Sequence, residues 1–323
     1  MKIAIVGAGA IGGWIGARLA ASGQNVRVLA RGQTLDAIRR NGLSLTSQGK
    51  IEHAEMPASD RAADLGVQDL VVVAVKGPAL AGVAAAVADL LHDETIILPA
   101  MNGVPWWFTH GNPGPLSGVT LNTIDPDGRI AATIPPNRVI GCVVHASCST
   151  TGPGAVMHAN GNRLIVGEPR GASTSRLTRI GDVLAAAGFE VTVSDHIHKD
   201  VWYKLWGNMT MNPISALTGA LTSQILDDEL VRTFALAVMA EAAEIGRRIG
   251  CPIAESGEDR MKVTRRLGGI KTSMLQDAEA GRPLEIDALL AAPREIAARV
   301  GVPTPNMNAL HGLVRLYAST RAR

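Results

Sequence analysis

Two stretches of the chain carry residue types at spacings that chemistry can use. The first is KIAIVGAGAIGGWIGARLAASG, where Gly7, Gly9 and Gly12 spell GxGxxG between an apolar run, Ile3 to Val6, and a helical pattern. The run reads as a strand buried on both faces of a parallel sheet. In such a strand–turn–helix unit the first glycine permits the tight turn and the second lets the backbone approach a pyrophosphate. The third lets helix and strand pack closely. Ala10 and Ile11 belong to the same cradle, at a helix start whose free N–H groups and positive dipole end suit phosphate. Glycine-rich turns also occur without ligands, so the strand before and the helix after carry the reading of dinucleotide binding. After the second strand, NVRVLA, Arg31 stands where an NAD site usually has an acid. A guanidinium there suits the 2′-phosphate of NADP(H); a solvated surface arginine is the plainer alternative.

The second stretch is HKDVWYKLWGNMTMNPISALTG. Lys204, Asn208 and Asn212 recur four residues apart and share one helix face, while Trp202 and Trp206 fall on another stripe and are expected to pack. A polar stripe can be a solvated surface, but on an apolar, aromatic helix it points to a wet cleft. Further on, KTSMLQDAEAGRPLEIDAL offers Ser273, Gln276 and Asp277 ahead of Glu285 and Asp287. Glu285, taken alone, could be no more than the N-terminal charge of the apolar helix that follows. Lys76 and Asn102 end the strands LVVVAVK and TIILPAMNG, where strand C-termini face a cofactor crevice. Ordinary loop polarity would put them there too.

The elements that must hold these residues divide into two parts. Of 323 residues, 46% are hydrophobic and 19% charged, enough apolar side chain for two ordinary cores. The net charge of +2 gives no argument for nucleic acid or an anionic membrane. Cys142, Cys148 and Cys251 form no CxxC pair and make a poor disulfide framework, which favours a reducing, cytoplasmic setting. A signal peptide is disfavoured by the glycines of the opening run, each costing about 1 kcal/mol in a helix. Strand and helix patterns alternate up to about residue 195, through RVIGCVVHASC, GAVMHA and RLIVGE to SRLTRIGDVLAAAG and FEVTVSD. Beyond that the periodicity is helical. The expectation is an α/β Rossmann-type dinucleotide-binding domain over 1–195 and an all-α domain over 196–323. HIH at His196 to His198 reads as a solvated helix start, since no third metal ligand is clustered with it.

Taken together, GAGAIGG, the VKGP lysine, the NG of MNG, WYKLWGNMTMNPISAL and SMLQDAEAGRPLEIDAL resemble the ketopantoate reductase family (2-dehydropantoate 2-reductases) over nearly the whole chain. That resemblance implies NADPH-dependent reduction of a 2-oxo acid, with 2-dehydropantoate giving pantoate for coenzyme A. It implies Lys204 as the general acid, Asn208 and Asn212 shaping the substrate site and Ser273 holding the substrate carboxylate. Glu285 would position the lysine and a substrate hydroxyl, and Asn102 and Lys76 would line the nicotinamide end. No metal is implied.

The chain departs from the family after NG, where Pro105, Trp106, Trp107 and Phe108 follow, and in the long 111–136 segment, whose DPDG reads as a turn between two short strands. The two tryptophans either reshape the substrate pocket or pack a domain or subunit interface. Two alternatives therefore stand beside the leading one: a related reductase of another ketone or hydroxy acid, and an NADP(H)-binding sensor without turnover. A homodimer through the helical half is allowed, with no residue that requires it.

Overall fold

Ile3, Ile5, Val26, Val28, Leu70, Val72, Ile96 and Leu98 sit in one hydrophobic cluster because four parallel strands bring them into register. The structure, a computed structural model, describes residues 1–112, 114–266 and 268–321. Pro113 of the long 111–136 segment, Leu267 and the last two residues of the expected second domain lie outside the described residues.

Contacts divide the chain into two compact units, 1–101 with 129–197, and 102–128 with 198–323. The first contains β1 (Lys2–Val6), α1 (Ala10–Ala21), β2 (Asn25–Leu29), α2 (Gly32–Asn41), β3 (Leu43–Ser47), β4 (Lys50–Ala54) and β5 (Ala58–Ser59). It continues with β6 (Leu70–Val73), α3 (Leu80–Ala88), β7 (Ile96–Pro99) and α4 (Arg129–Thr133), then β8 (Gly141–Gly152), β9 (Ala155–Gly167), α5 (Ser175–Ala186) and β10 (Glu190–Val193). The main sheet runs β5-β2-β1-β6-β7, all parallel, with β1 central. The strand order steps outward from β1 in both directions, the arrangement that opens a ligand crevice at the strand C-termini.

A second sheet, β10-β9-β3-β4 with β8 on β9, was only partly legible in the sequence. The three strand-like pieces at 138–168 form one long hairpin, β8–β9, with shifts of register where the pieces had seemed separate. Helix α1 lies between the sheets. A Cβ on Gly13 would stand 2.6 Å from Val156 of β9, so a bare Cα is required for that approach.

The second unit holds α6 (Ile197–Thr218), α7 (Thr222–Asp227), α8 (Glu229–Arg248), α9 (Gly257–Arg266), α10 (Ser273–Glu279), α11 (Ala292–Arg299) and α12 (Pro305–Arg321). A π-helical turn, Asp287–Ala291, leads into α11. Trp202 and Trp206 are buried, their indole N–H groups donating to the carbonyls of Ala242 and Met239 on α8. Among the described residues no helix is long and apolar enough to cross a membrane.

Three expectations change. Segment 102–128, which the sequence reading left within 1–195, groups with the helical unit. The Val104 N–H donates to the Ala288 carbonyl, and the Asn122 and Thr123 amides donate to the Glu295 carboxylate. DPDG does not join two strands: Pro126–Gly128 is a tight turn, kinked at Asp127 with φ 58°, that leads into α4. His198 is not solvated. It is 7% exposed, with its ring edge-on to Trp107 and Phe108 and its Nε2 against the His110 carbonyl. The aromatic run at 106–108 supplies an apolar seat that one-dimensional reading could not see.

Burial alone would raise the Glu295 pKa, but the two backbone amides, the Thr123 side chain and Arg299 outweigh it and hold the carboxyl below its ordinary range. Its stabilisation is therefore present above the ordinary carboxylate pKa and lost as pH falls through the lowered folded value. Glu295→Gln should cost about 1–3 kcal/mol near neutrality and much less in acid. Denaturant melts at two pH values measure this.

Candidate active site

The first unit builds a phosphate cradle at the C-terminal ends of β1, β2 and β6. Gly7 has φ +94°, and a Cβ there would meet Val75 at 2.8 Å. Gly12 is pressed against the turn, where a Cβ would stand 1.9 Å from the Gly7 carbonyl oxygen. Gly9, the N-cap of α1, faces open space, with no atom within 4 Å of an added Cβ. The two tight glycines thus close the turn, and the open one leaves room for an approaching group. No side chain caps α1 and no acidic residue occupies its first turn, so the helix start at Ala10 and Ile11 is free for an anion. These features fit a dinucleotide pyrophosphate.

Arg31 is exposed and takes the N-cap position of α2, two residues past the end of β2. Lys76 is exposed at the tight turn that follows β6. The cradle, Arg31 and Lys76 therefore share the C-terminal edge of one sheet.

In the second unit, α6 carries Lys204 and Asn208, both half-buried, and Asn212, 7% exposed, on one face. Lys204 Nζ donates to Asn102 Oδ1 at 2.7 Å. The backbone beside Asn102 is tightly constrained. Gly103 has φ +80°, and a Cβ there would lie 2.5 Å from the Ala288 Cβ and 2.6 Å from its carbonyl oxygen. Ala288 belongs to the π-helical turn that follows Glu285, which is 6% exposed. A π turn widens the helix locally and is common where function needs a side chain or carbonyl re-aimed. The fold thus brings together Lys204, Asn102 and the segment that bears Glu285.

Ser273 is exposed at the first position of α10, whose cap is Thr272, accepting from the Leu275 N–H. Asp277 is buried and paired with Arg282 at 2.9 Å, closing the loop that leads to Glu285. The Ala288 seat was missed by sequence reading; the signal was the small residue of EIDALLAAP, uninformative until Gly103 arrives against it. Trp106, Trp107 and Phe108 are 6%, 1% and 0% exposed and fill the core of the helical unit. Their burial supports the packing alternative for these residues.

Two family models match the chain, both described as ketopantoate reductase PanE/ApbA, one over residues 3–105 and its C-terminal counterpart over 196–318. A 2-dehydropantoate 2-reductase of Mesorhizobium japonicum is 44% identical over 99% of both chains. Among solved structures, a Ralstonia solanacearum MolK2 protein assigned to the ketopantoate reductases is 56% identical, with TM-score 0.96 over 99% of this chain and 98% of that one. The 2-dehydropantoate 2-reductase of Geobacter metallireducens is 28% identical, with TM-score 0.86 over 98% and 100%.

The three glycines predict different failures. Gly12→Ala should lower thermal stability and abolish dinucleotide binding together, because its methyl overlaps the turn itself. Gly9→Ala should leave the melting temperature within a few degrees while weakening dinucleotide binding at least about tenfold, since its methyl would meet only an incoming group. Thermal melts beside fluorescence titration separate the two.

Proposed function

Because the chain belongs to the ketopantoate reductase family, we propose that it reduces 2-dehydropantoate to pantoate with NADPH, in the cytoplasm. The observation that carries the reading is the Lys204 ammonium held at 2.7 Å by Asn102 on the polar face of an otherwise buried helix.

When bound, the nicotinamide supplies a hydride to the ketone carbon. Negative charge develops on the carbonyl oxygen, and Lys204 stabilises that charge and then gives up a proton to it. Asn102 accepts from the ammonium and so orients it toward the substrate. Glu285 keeps the lysine charged and oriented and accepts from a substrate hydroxyl. Asn208 and Asn212 line the substrate's path along the helix face, and Ser273 offers its hydroxyl to the carboxylate. In the other unit Gly7, Gly9, Ala10, Ile11 and Gly12 receive the pyrophosphate. Arg31 grips the 2′-phosphate, and Lys76 bounds the nicotinamide end.

The test is NADPH oxidation with 2-dehydropantoate, followed by nicotinamide absorbance, with NADH alongside. Turnover favouring NADPH supports the reading; NADPH binding without turnover on any short branched 2-oxo acid contradicts it and favours a sensor. Lys204→Ala should lower kcat by about 10²–10⁴-fold while the NADPH Kd stays within about twofold. Arg31→Glu should weaken NADPH far more than NADH, by about tenfold or more, read as the ratio of the two Kd values.

A further inference from the structure

The π-helical turn Asp287–Ala291 runs without a break into α11. A proline accounts for the wider turn. Pro293 is buried at the second position of α11. Within a continuous helix a proline withholds an N–H, and its ring presses on the carbonyl four residues back, here that of Leu289. Before the turn the Leu289 N–H donates to the Glu285 carbonyl at 3.2 Å, the ordinary four-residue step. The Ala292 N–H reaches five residues back instead, to Asp287.

Ala288 is thereby passed over by its own helix. Its α-helical donor, Ala292, is spent on Asp287, and its π-helical donor would be residue 293, which has no N–H. A carbonyl released in this way on a buried residue needs a donor from elsewhere. Val104 supplies it, its N–H donating to the Ala288 carbonyl at 2.9 Å. The approach is so close that Gly103, beside Val104, has no room for a Cβ. Asn102 comes immediately before that glycine and accepts from Lys204 Nζ. One backbone bond therefore joins the turn that follows Glu285 to the loop that orients the lysine.

We propose that Pro293 is a positioning residue for the reduction: by withholding an N–H it frees the Ala288 carbonyl for Val104, and that bond fixes the spacing between Glu285 and the Asn102–Lys204 pair. This rests on the roles proposed above for Lys204 and Glu285. Pro293 acts only through the turn. An alanine at 293 supplies the missing donor, so the helix can run α-helical throughout, with Ala292 bonded to Ala288 and residue 293 to Leu289. Val104 then loses its acceptor. The residues before the turn, Glu285 among them, rotate by about 100°, one residue's share of an α-helix.

The experiment compares wild type with Pro293→Ala. With 2-dehydropantoate and NADPH, kcat should fall by about 10–100-fold, more than KM for the acid rises, while the NADPH Kd stays within about twofold. The melting temperature should stay within a few degrees, because the variant gains a helical bond where it loses a tertiary one. Amide exchange at Val104, followed by NMR on valine-labelled protein, should quicken at least about tenfold. Wild-type kcat in the variant, or wild-type exchange at Val104, would overturn the proposal. A loss of kcat matched by a large fall in melting temperature would overturn it too, in favour of simple packing. Wild type that turns over no short branched 2-oxo acid refutes the reductase reading and the catalytic role of the turn with it, while exchange at Val104 still decides whether Pro293 frees the Ala288 carbonyl.

Discussion

The hydrogen bond from Lys204 Nζ to Asn102 Oδ1 is the constraint on which the helical unit is organised. An ammonium on a half-buried helix face must have an acceptor, and a lysine has four rotatable bonds with which to miss its target. The acceptor is delivered by a segment, 102–128, that leaves the first half of the chain to pack with the second. Its entry needs a left-handed glycine at 103 and an alanine at 288, because the two backbones come too close for anything larger. The aromatic run at 106–108 then anchors the segment on His198 and Trp202 at the start of α6. Glu295 fastens its far end. Buried aromatics and backbone bonds to a carboxylate thus hold one amide oxygen in place.

In the α/β unit the corresponding constraint is steric. Gly12 against the Gly7 carbonyl leaves no room for a methyl group, whereas Gly9 faces open space. The turn is closed where the protein must pack and open at Gly9. The two units differ in chemistry: one presents backbone N–H groups at an uncapped helix start, the other a lysine ammonium with an oriented partner.

Much of this was legible in the sequence, for identifiable reasons. The glycine spacing, the two buried strands that follow and the polar stripe of Lys204, Asn208 and Asn212 are local patterns, and local patterns survive in one dimension. The β3–β4 hairpin was invisible because LSLTS and KIEHA are short and polar and join their sheet only where β3 pairs with β9, far along the chain. The path of 102–128 was misjudged because its partners, Ala288 and Glu295, lie well over 150 positions away. His198 looked like a surface residue because the two aromatics packed against it, Trp107 and Phe108, come from a segment far back along the chain.

The most direct test of the central claim is the kcat of Asn102→Ala with 2-dehydropantoate at saturating NADPH. If Asn102 aims the Lys204 ammonium, kcat should fall by about 10–100-fold, the loss expected for a charge-assisted bond made at the reacting group. A kcat equal to that of wild type would mean that Lys204 needs no such partner, and the account of the helical unit would be wrong.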